Sequence, residues 1–170
     1  MSTNAETTGG LIEALSSHVH ELSAKIGERS VLRGDGLDRA KAYVRDAFEA
    51  AGLTVTEQAY EYEGRRVANL IADPPGVATD ATPYIIGAHY DSVIGTPGAD
   101  DNASAVAVML ELARRTTAKP PGVPLHYVAF TLEEPPTHAT RHQGAAASSL
   151  NGSRRPADRL PVLSSSRWWA

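Results

Sequence analysis

The sequence predicts an α/β fold, a three-layer sandwich of helices around a mixed β-sheet. First, segments with helical hydrophobic spacing alternate along the chain with short segments typical of strands. Second, the alternating segments TVTEQAYEY and RRVANLIAD flank a tight-turn signal at Glu63 and Gly64. Third, the strongly apolar runs PYIIGAHYD and LHYVAFTLEE are typical of buried strands. A chain of 170 residues is long enough for one domain with a hydrophobic core.

Three segments have the spacing of amphipathic helices, with apolar side chains at every third or fourth position. They are residues 11–26, 38–51 and 102–116. Gly27 follows the first segment and predicts its end. Asp101 or Asn102 could cap the third helix, since both side chains accept hydrogen bonds from free backbone N–H groups.

Four segments are predicted to be strands: residues 54–62, 65–73, 83–91 and 125–134. The second of them ends at Pro74, Pro75 and Gly76, which break regular structure. The third and fourth are short and rich in apolar side chains, as buried strands are. They are separated by the third helix, so helix and strand alternate through the middle of the chain.

The composition excludes several classes of function. The formal net charge is −4 with acids and bases interspersed, so no basic stripe predicts nucleic acid as a partner. Cysteine is absent, which leaves histidine, carboxylates and backbone oxygen as possible metal ligands. The polar N-terminus does not resemble a signal peptide, and no apolar run is long enough to span a bilayer. We therefore expect a soluble, cytoplasmic protein with no membrane partner.

Histidine and carboxylate side chains collect where the two apolar strands are predicted to end. Ligands in open α/β sheets gather beyond the carboxyl ends of strands, and imidazole and carboxylate are good zinc ligands. His89 and Asp91 lie at the end of one strand, Glu133 and Glu134 at the end of the other, and Asp100 and Asp101 open the helix between them. Such closely placed carboxylates repel one another unless a cation or a proton intervenes. The sequence therefore predicts a metal site here.

Each of these residues has a structural interpretation when it is taken alone. A histidine after a strand is commonly structural or solvated, and an aspartate at a helix start is commonly a cap. The pair Glu133 and Glu134 could belong to a solvated loop. The combination at consecutive strand ends favours the metal site. The remaining early histidines, His18, His20 and His126, lie within predicted helices or strands and are not expected to be functional.

The segments HYDSV, GTPGADDNAS and FTLEEPP together resemble the dizinc exopeptidase family. That family includes bacterial zinc aminopeptidases and has glutamate carboxypeptidase and glutaminyl cyclase as relatives. The resemblance spans roughly residues 37–144, so residues 1–144 would be the N-terminal part of a zinc peptidase domain. It implies a zinc-exopeptidase-like fold, a peptide substrate from which the N-terminal residue is removed, and two zinc ions bridged by an aspartate and a water.

The resemblance also implies a role for each motif residue. His89 would be a ligand of the first zinc, and Asp91 would hold its ring and fix its tautomer. Asp101 would bridge the two ions. Glu133 would be the general base that takes a proton from the attacking water. Glu134 would be a ligand of the second zinc.

Two further ligands of the family have no match in the sequence. One is an acid in a stretch similar to Leu-Glu-x-Val-Gly, and the other is a histidine near the family's C-terminus. His138, His142 and Asp158 are the later side chains of suitable type. Catalytic zinc typically has three protein ligands, so each ion would be one ligand short. A catalytically inactive remnant or a non-catalytic binding module is therefore an alternative to the aminopeptidase, as are a carboxypeptidase and a glutaminyl cyclase.

After about Gly144 the sequence loses any helical or strand period. We expect residues 145–170 to be a disordered tail outside the family pattern, left by truncation or a frameshift. The sandwich would then be incomplete at its C-terminal side. In that case the strand LHYVAFTL would become a bare apolar edge, and exposed edges of that kind recruit other chains. Self-association through the sheet edge is therefore expected.

Overall fold

The computed structural model describes residues 7–76 and 84–138. Within them the chain forms three α-helices, four β-strands and two short π-helical segments, Glu21–Ile26 and Ala99–Ser104. The helices are α1 (Thr8–His20), α2 (Gly36–Ala50) and α3 (Ala105–Ala118), and the strands are β1 (Thr54–Tyr62), β2 (Arg65–Asp73), β3 (Tyr84–His89) and β4 (Leu125–Phe130). None of the described helices combines the length and apolarity needed to cross a bilayer.

The four strands form one mixed sheet in the order β1-β2-β4-β3. β2 pairs antiparallel with β1 and with β4, whereas β3 and β4 are parallel. This arrangement confirms the predicted α/β fold around a mixed sheet. The prediction that LHYVAFTL forms a bare edge is wrong, because β4 lies between β2 and β3. Among the described strands, β3 is the outermost one on that side.

The β1–β2 hairpin has the turn that its sequence predicts. Tyr62 pairs with Arg65, so the turn consists of Glu63 and Gly64 alone. Their φ angles are 48° and 77°. Positive φ at both central residues gives a two-residue turn the twist that matches the flanking strands. The turn fixes the register of the hairpin, which continues to Thr54 and Asp73.

The first predicted helix is confirmed, with a changed start and a changed last turn. α1 begins at Thr8 because the side chain of Thr7 accepts a hydrogen bond of 3.2 Å from the backbone N–H of Gly10. The helix widens into its π-helical segment and ends at Ile26. Gly27, with φ of 83°, stands at the predicted stop.

The third predicted helix starts later than expected. α3 begins at Ala105, because Asp101 and Asn102 have non-helical backbone angles and interrupt the helical path. No side-chain hydrogen bond caps α3, so the prediction that Asp101 or Asn102 caps it is wrong. The carboxylate of Asp101 contacts His89 instead. This contact explains why a helix-capping pattern does not produce a cap here.

Helices α2 and α3 contact each other and the strands, and α1 lies against α3. The buried apolar side chains of the two sheet-facing helices are Leu37, Ala40, Val44, Phe48, Val106, Ala107, Met109, Leu110 and Ala113. The ring of Phe48 lies 6.2 Å from the ring of Tyr127 on β4. Burying each large side chain contributes about 1.5–3 kcal/mol. Residues of β3 and β4, among them Ala88, Tyr127 and Ala129, belong to this core.

β4 ends earlier than the sequence predicts. Its last residue is Phe130, so Glu133 and Glu134 lie beyond the strand. The backbone N–H of Tyr90 donates to the carbonyl of Phe130 at 2.9 Å, and the two strands diverge after that bond. Leu132 has φ of 60°, which turns the chain out of the sheet direction. The two glutamates therefore stand on a turn that faces the end of β3.

Candidate metal centre

The parallel pairing of β3 and β4 brings the predicted site residues together. His89 is the last residue of β3 and pairs with Phe130, the last residue of β4. The parallel strands end side by side, so the segments that follow them leave the same edge of the sheet. Ligand atoms of His89, Glu133 and Glu134 all lie within 4.8 Å of one another. The two strand-end segments thus converge as the strand-end argument predicts.

His89 stands at the middle of the cluster and is 8% exposed. Its Nε2 lies 3.0 Å from Asp101 Oδ1 and 3.8 Å from Glu133 Oε2. Its Nδ1 faces the other way, 3.5 Å from Asp91 Oδ1. One ring nitrogen therefore faces the carboxylate cluster, and the other faces an acid behind the ring. A metal-ligating histidine has this arrangement, with a carboxylate on its second nitrogen.

Asp91 links the two strand ends. It is 3% exposed, and its Oδ2 accepts a hydrogen bond of 3.1 Å from the backbone N–H of Glu134. Its other oxygen, Oδ1, lies near the ring of His89. One carboxylate thus contacts a predicted ligand of each zinc. Oδ1 has no hydrogen-bond partner among the described residues, so Asp91 adds a second incompletely satisfied buried carboxylate to the cluster.

The cluster has more buried carboxylate than the described residues balance. Glu134 is 8% exposed, and its Oε1 has no hydrogen-bond partner among the described residues. Burial, together with the nearby charge of Asp101, raises the pKa of Glu134 to about 7. A carboxylate held in this way needs either a proton or a cation.

The pKa of His89 reflects the same excess of negative charge in the cluster. Burial lowers it, but Asp91, Glu133 and Asp101 outweigh burial and raise the pKa to about 9. The described residues of the cluster therefore attract positive charge. A site with imidazole nitrogen, carboxylate oxygens and an unpaired buried oxygen fits a zinc ion by its donor chemistry.

The loop between β3 and α3, residues 90–104, carries the two paired acids. The side chain of Asp101 is 73% exposed apart from its contact with His89. Asp100 is exposed, and its backbone carbonyl accepts a hydrogen bond of 2.8 Å from Ser104 Oγ. The geometry thus distinguishes the two acids, with Asp101 facing His89.

Arg29, which the sequence did not single out, organises this loop. It is 1% exposed, and although burial lowers its pKa, the nearby charges of Asp91 and Glu134 act in the opposite direction. Its guanidinium donates to backbone carbonyls at 2.7–3.0 Å, and its backbone N–H donates to Ser92 Oγ. The carbonyls belong to Leu22, Gly27, Tyr90, Pro97 and Gly98. A single arginine in GERS gives no sequence signal of this, because its guanidinium binds backbone carbonyls, four of which lie at least seven residues away along the chain.

The later candidate ligands are only partly described. Nδ1 of His138 lies 3.5 Å from Glu133 Oε1 and 3.1 Å from the Glu133 carbonyl, and the side chain is 55% exposed. This histidine thus reaches the edge of the cluster. His142 and Asp158 lie outside the described residues, as do residues 145–170 with their predicted tail.

His18 and His126 have structural partners. His18 Nδ1 lies 2.6 Å from the hydroxyl of Tyr43, and its Nε2 lies 3.5 Å from Glu111 Oε1. His126 pairs with Asp73 across β4 and β2. His20 lies exposed in the last turn of α1. None of them belongs to the group of possible metal ligands found among the described residues.

Comparisons with known proteins give the family context of this site. Residues 69–165 match peptidase family M28. The uncharacterized protein YfbL of Escherichia coli K12 is 37% identical over 147 residues, which cover 82% of this chain and 45% of that protein. Leupeptin-inactivating enzyme 1 of Streptomyces exfoliatus is 36% identical over 100 residues, covering 57% and 23%. Aminopeptidase YwaD of Bacillus subtilis is 49% identical over 47 residues, covering 28% and 10%. The chain therefore spans less than half the length of these relatives.

Solved structures share the fold. A glutaminyl cyclase of Porphyromonas gingivalis is 25% identical with a TM-score of 0.60, and the match covers 71% of this chain and 45% of that one. A zinc-dependent exopeptidase of Parabacteroides distasonis is 22% identical with a TM-score of 0.59, covering 71% and 46%. These similarities confirm the fold expected from the resemblance. The match to peptidase family M28 extends beyond Gly144, and the predicted boundary at that residue stays a prediction.

Proposed function

The chain belongs to peptidase family M28, and we propose that its His89 cluster forms part of a zinc site that hydrolyses N-terminal peptide bonds. The proposal is carried by the group of His89, Glu133 and Glu134, whose ligand atoms lie within 4.8 Å of one another, with Asp101 against Nε2 of His89. The buried Oε1 of Glu134 has no hydrogen-bond partner among the described residues. The names of two relatives, an aminopeptidase and a leupeptin-inactivating enzyme, support a peptidase function.

The residues that would hold zinc are His89, Asp101 and Glu134. Nε2 of His89 faces the cluster, while Asp91 behind its ring favours the tautomer that leaves Nε2 free to bind a metal. Asp101 reaches the same nitrogen from the loop at 3.0 Å, so its carboxylate would be within reach of an ion bound there. Zinc in this position supplies Lewis acidity, which lowers the pKa of a water and polarises the scissile carbonyl.

Glu133 is the general base in this proposal. Its Oε2 lies 3.8 Å from Nε2 of His89, and its side chain is 26% exposed, so it faces the cluster and remains accessible to water. A carboxylate there can take a proton from the attacking water and later deliver it to the leaving amine. Glu134, its neighbour, is buried and would be a zinc ligand rather than a base.

A glutaminyl cyclase is the second candidate, because several of the structures that share this fold are glutaminyl cyclases. Such an activity would join the N-terminal amine of a glutamine to its own side-chain carbonyl and release ammonia. It needs a carboxylate that moves a proton, which Glu133 also offers. Ammonia release from peptides with N-terminal glutamine separates this activity from hydrolysis, which releases a free amino acid.

The test is zinc content together with turnover of a panel of aminoacyl reporter substrates. We expect bound zinc and hydrolysis that a chelator abolishes and added zinc restores. Glu133→Gln should abolish turnover and leave zinc binding nearly unchanged. Glu49→Gln, an exposed glutamate on α2, is the matched control and should behave as the parent chain.

Two outcomes would contradict the proposal. If the parent chain binds zinc without turnover of any substrate, it is a binding module or an inactive remnant. If Glu133→Gln turns over substrate as fast as the parent chain, Glu133 is not the base.

A further inference from the structure

The segment that carries Glu133 and Glu134 is fixed by side chains at the point where it leaves the sheet. The backbone pairing between β2 and β4 runs from Ala72 and Tyr127 to Leu70 and Ala129, and it stops there. Thr131, two residues further along, therefore needs other partners for its backbone. Buried backbone groups without partners are costly, so the identity of these partners matters.

Asn69 supplies one of them. It lies in the middle of β2, is fully buried, and accepts a hydrogen bond of 3.0 Å from the backbone N–H of Thr131 through its Oδ1. Its Nδ2 donates to Gln58 Oε1 at 2.9 Å on the neighbouring strand. The orientation of the amide is determined by this contact, because only its oxygen can accept from an N–H group.

Tyr60 on β1 supplies the other partner. Its hydroxyl donates to the carbonyl of Thr131 at 3.2 Å. Both backbone groups of Thr131 are thus bonded to side chains of the hairpin β1–β2 rather than to a strand. These contacts attach the segment to the sheet beyond the last backbone pair of β2 and β4.

The other end of the segment is held by Asp91, which accepts from the backbone N–H of Glu134. Between the two anchors stands Leu132, whose φ of 60° is unfavourable for a leucine. Such a backbone conformation persists only where surrounding contacts determine it. The anchors at Thr131 and Glu134 therefore fix where the two glutamate side chains leave the backbone.

We propose that Asn69 is a positioning residue for the metal centre: it holds Thr131 so that Glu133 and Glu134 face His89. The proposal rests on the proposed function for the claim that the cluster binds zinc. Asn69 lies on β2, whereas His89 lies on β3, so it acts through the backbone of the β4 exit and not by touching the ion. Residues that orient metal ligands typically change metal affinity by about 10–100-fold when they are replaced.

The decisive variants are Asn69→Leu and Asn69→Asp. Asn69→Leu keeps the branched shape and the number of side-chain heavy atoms, and it removes the acceptor for Thr131. Asn69→Asp keeps an oxygen for Thr131, and the amide of Gln58 can rotate to donate to the second oxygen. Gln58→Leu is the matched control, because it removes the other bond of Asn69 and leaves the bond to Thr131 in place.

The first readout is zinc affinity of the folded full-length chain, measured by competition with a chromogenic chelator. We expect Asn69→Leu to bind zinc about 10-fold or more weakly. Asn69→Asp should recover most of that loss, and Gln58→Leu should bind as the parent chain does. Equal affinity for Asn69→Leu and the parent chain would overturn the proposal.

The second readout is amide hydrogen exchange of the zinc-free chain. We expect Asn69→Leu to speed exchange at Thr131 and Glu134 more than at Val44 and Phe48 in α2, because the loss is local. A uniform increase at all four amides would mean that Asn69 only stabilises the fold. This readout remains informative if the parent chain binds no zinc, which would contradict the proposed function alone.

Discussion

His89 and Glu134 share a buried charge imbalance that links the stability of the zinc-free protein to pH. Both have folded-state pKa values above their ordinary ones, about 9 against 6.5 for His89 and about 7 against 4.5 for Glu134. A raised pKa means that the folded state favours the protonated form of the group. Protons and zinc therefore compete for the same cluster.

Each of the two groups contributes less stability as the pH rises. The contribution of Glu134 is complete below about pH 4.5 and is lost as the pH rises through about 7. The contribution of His89 is complete below about pH 6.5 and is lost as the pH rises through about 9. We expect the zinc-free protein to lose urea resistance across this range, while zinc affinity rises as the two groups lose their protons. A zinc affinity that does not change between about pH 6 and 9 would contradict this.

Among single residues, the sequence predicts those whose function is indicated by their residue type and their position beside a strand. His89, Asp101, Glu133 and Glu134 could be found because charges beside apolar strands are unusual. Asn69 carried a weaker signal, a polar side chain inside the apolar run VANLI, which indicates a buried hydrogen-bonding role. Arg29 has no such signal in the sequence, because its guanidinium binds backbone carbonyls, which every residue has.

The loop of residues 90–104 depends on contacts with a distant segment, since Arg29 binds its backbone carbonyls and Ser92. It joins β3 to α3 and carries Asp101, but its first part has no regular backbone pairing. Gly98 has φ of 53°, and a side chain there would lie 2.5 Å from the carbonyl of Asp101 and 2.7 Å from Arg29 Nη2. Only glycine suits this close approach. The loop is thus shaped by the arginine that occupies its interior.

The variant Arg29→Met tests whether the guanidinium of Arg29 stabilises this loop. Removing the guanidinium leaves several buried carbonyls without donors, each at about 1–3 kcal/mol, so we expect the free energy of unfolding to fall by about 3–5 kcal/mol. Urea unfolding measures the loss, and Arg66→Met, at an exposed arginine on β2, is the matched control with little expected change. Arg29→Lys should fall between them, because a single ammonium cannot reach all the carbonyls. A loss for Arg29→Met as small as that of the control would refute the proposed role.

The boundaries of the elements show why local patterns were not sufficient. The hairpin β1–β2 was predicted with its register because turn and alternation are both local signals. The start of α3 and the end of β4 were predicted wrongly, and both errors fall on residues of the metal cluster. Asp101 turns to His89 instead of capping a helix, and Leu132 takes a left-handed conformation beside Glu133. Contacts between distant segments override local preference at such positions.

On the scale of the whole molecule, the two outermost described strands differ in how they resist pairing with other chains. β1 carries Glu57 and Glu61, and charged side chains discourage edge-to-edge association. β3, with the sequence YIIGAH, has no acid or lysine, and its Tyr84 is 51% exposed. If the chain self-associates through its sheet, β3 is therefore the favoured edge, rather than β4 as the sequence had indicated.

We expect the isolated chain to associate in a concentration-dependent way, measured by size-exclusion chromatography and sedimentation. Tyr84→Lys should reduce that association, because it places a charge on the β3 edge, where a pairing strand would have to bury it. Val108→Lys changes an equally exposed apolar side chain on α3 and is the matched control, which should associate as the parent chain does. A stable monomer with cooperative unfolding would contradict the prediction. Equal effects of the two lysine variants would instead assign the association to general surface hydrophobicity, since only pairing at β3 distinguishes Tyr84 from Val108.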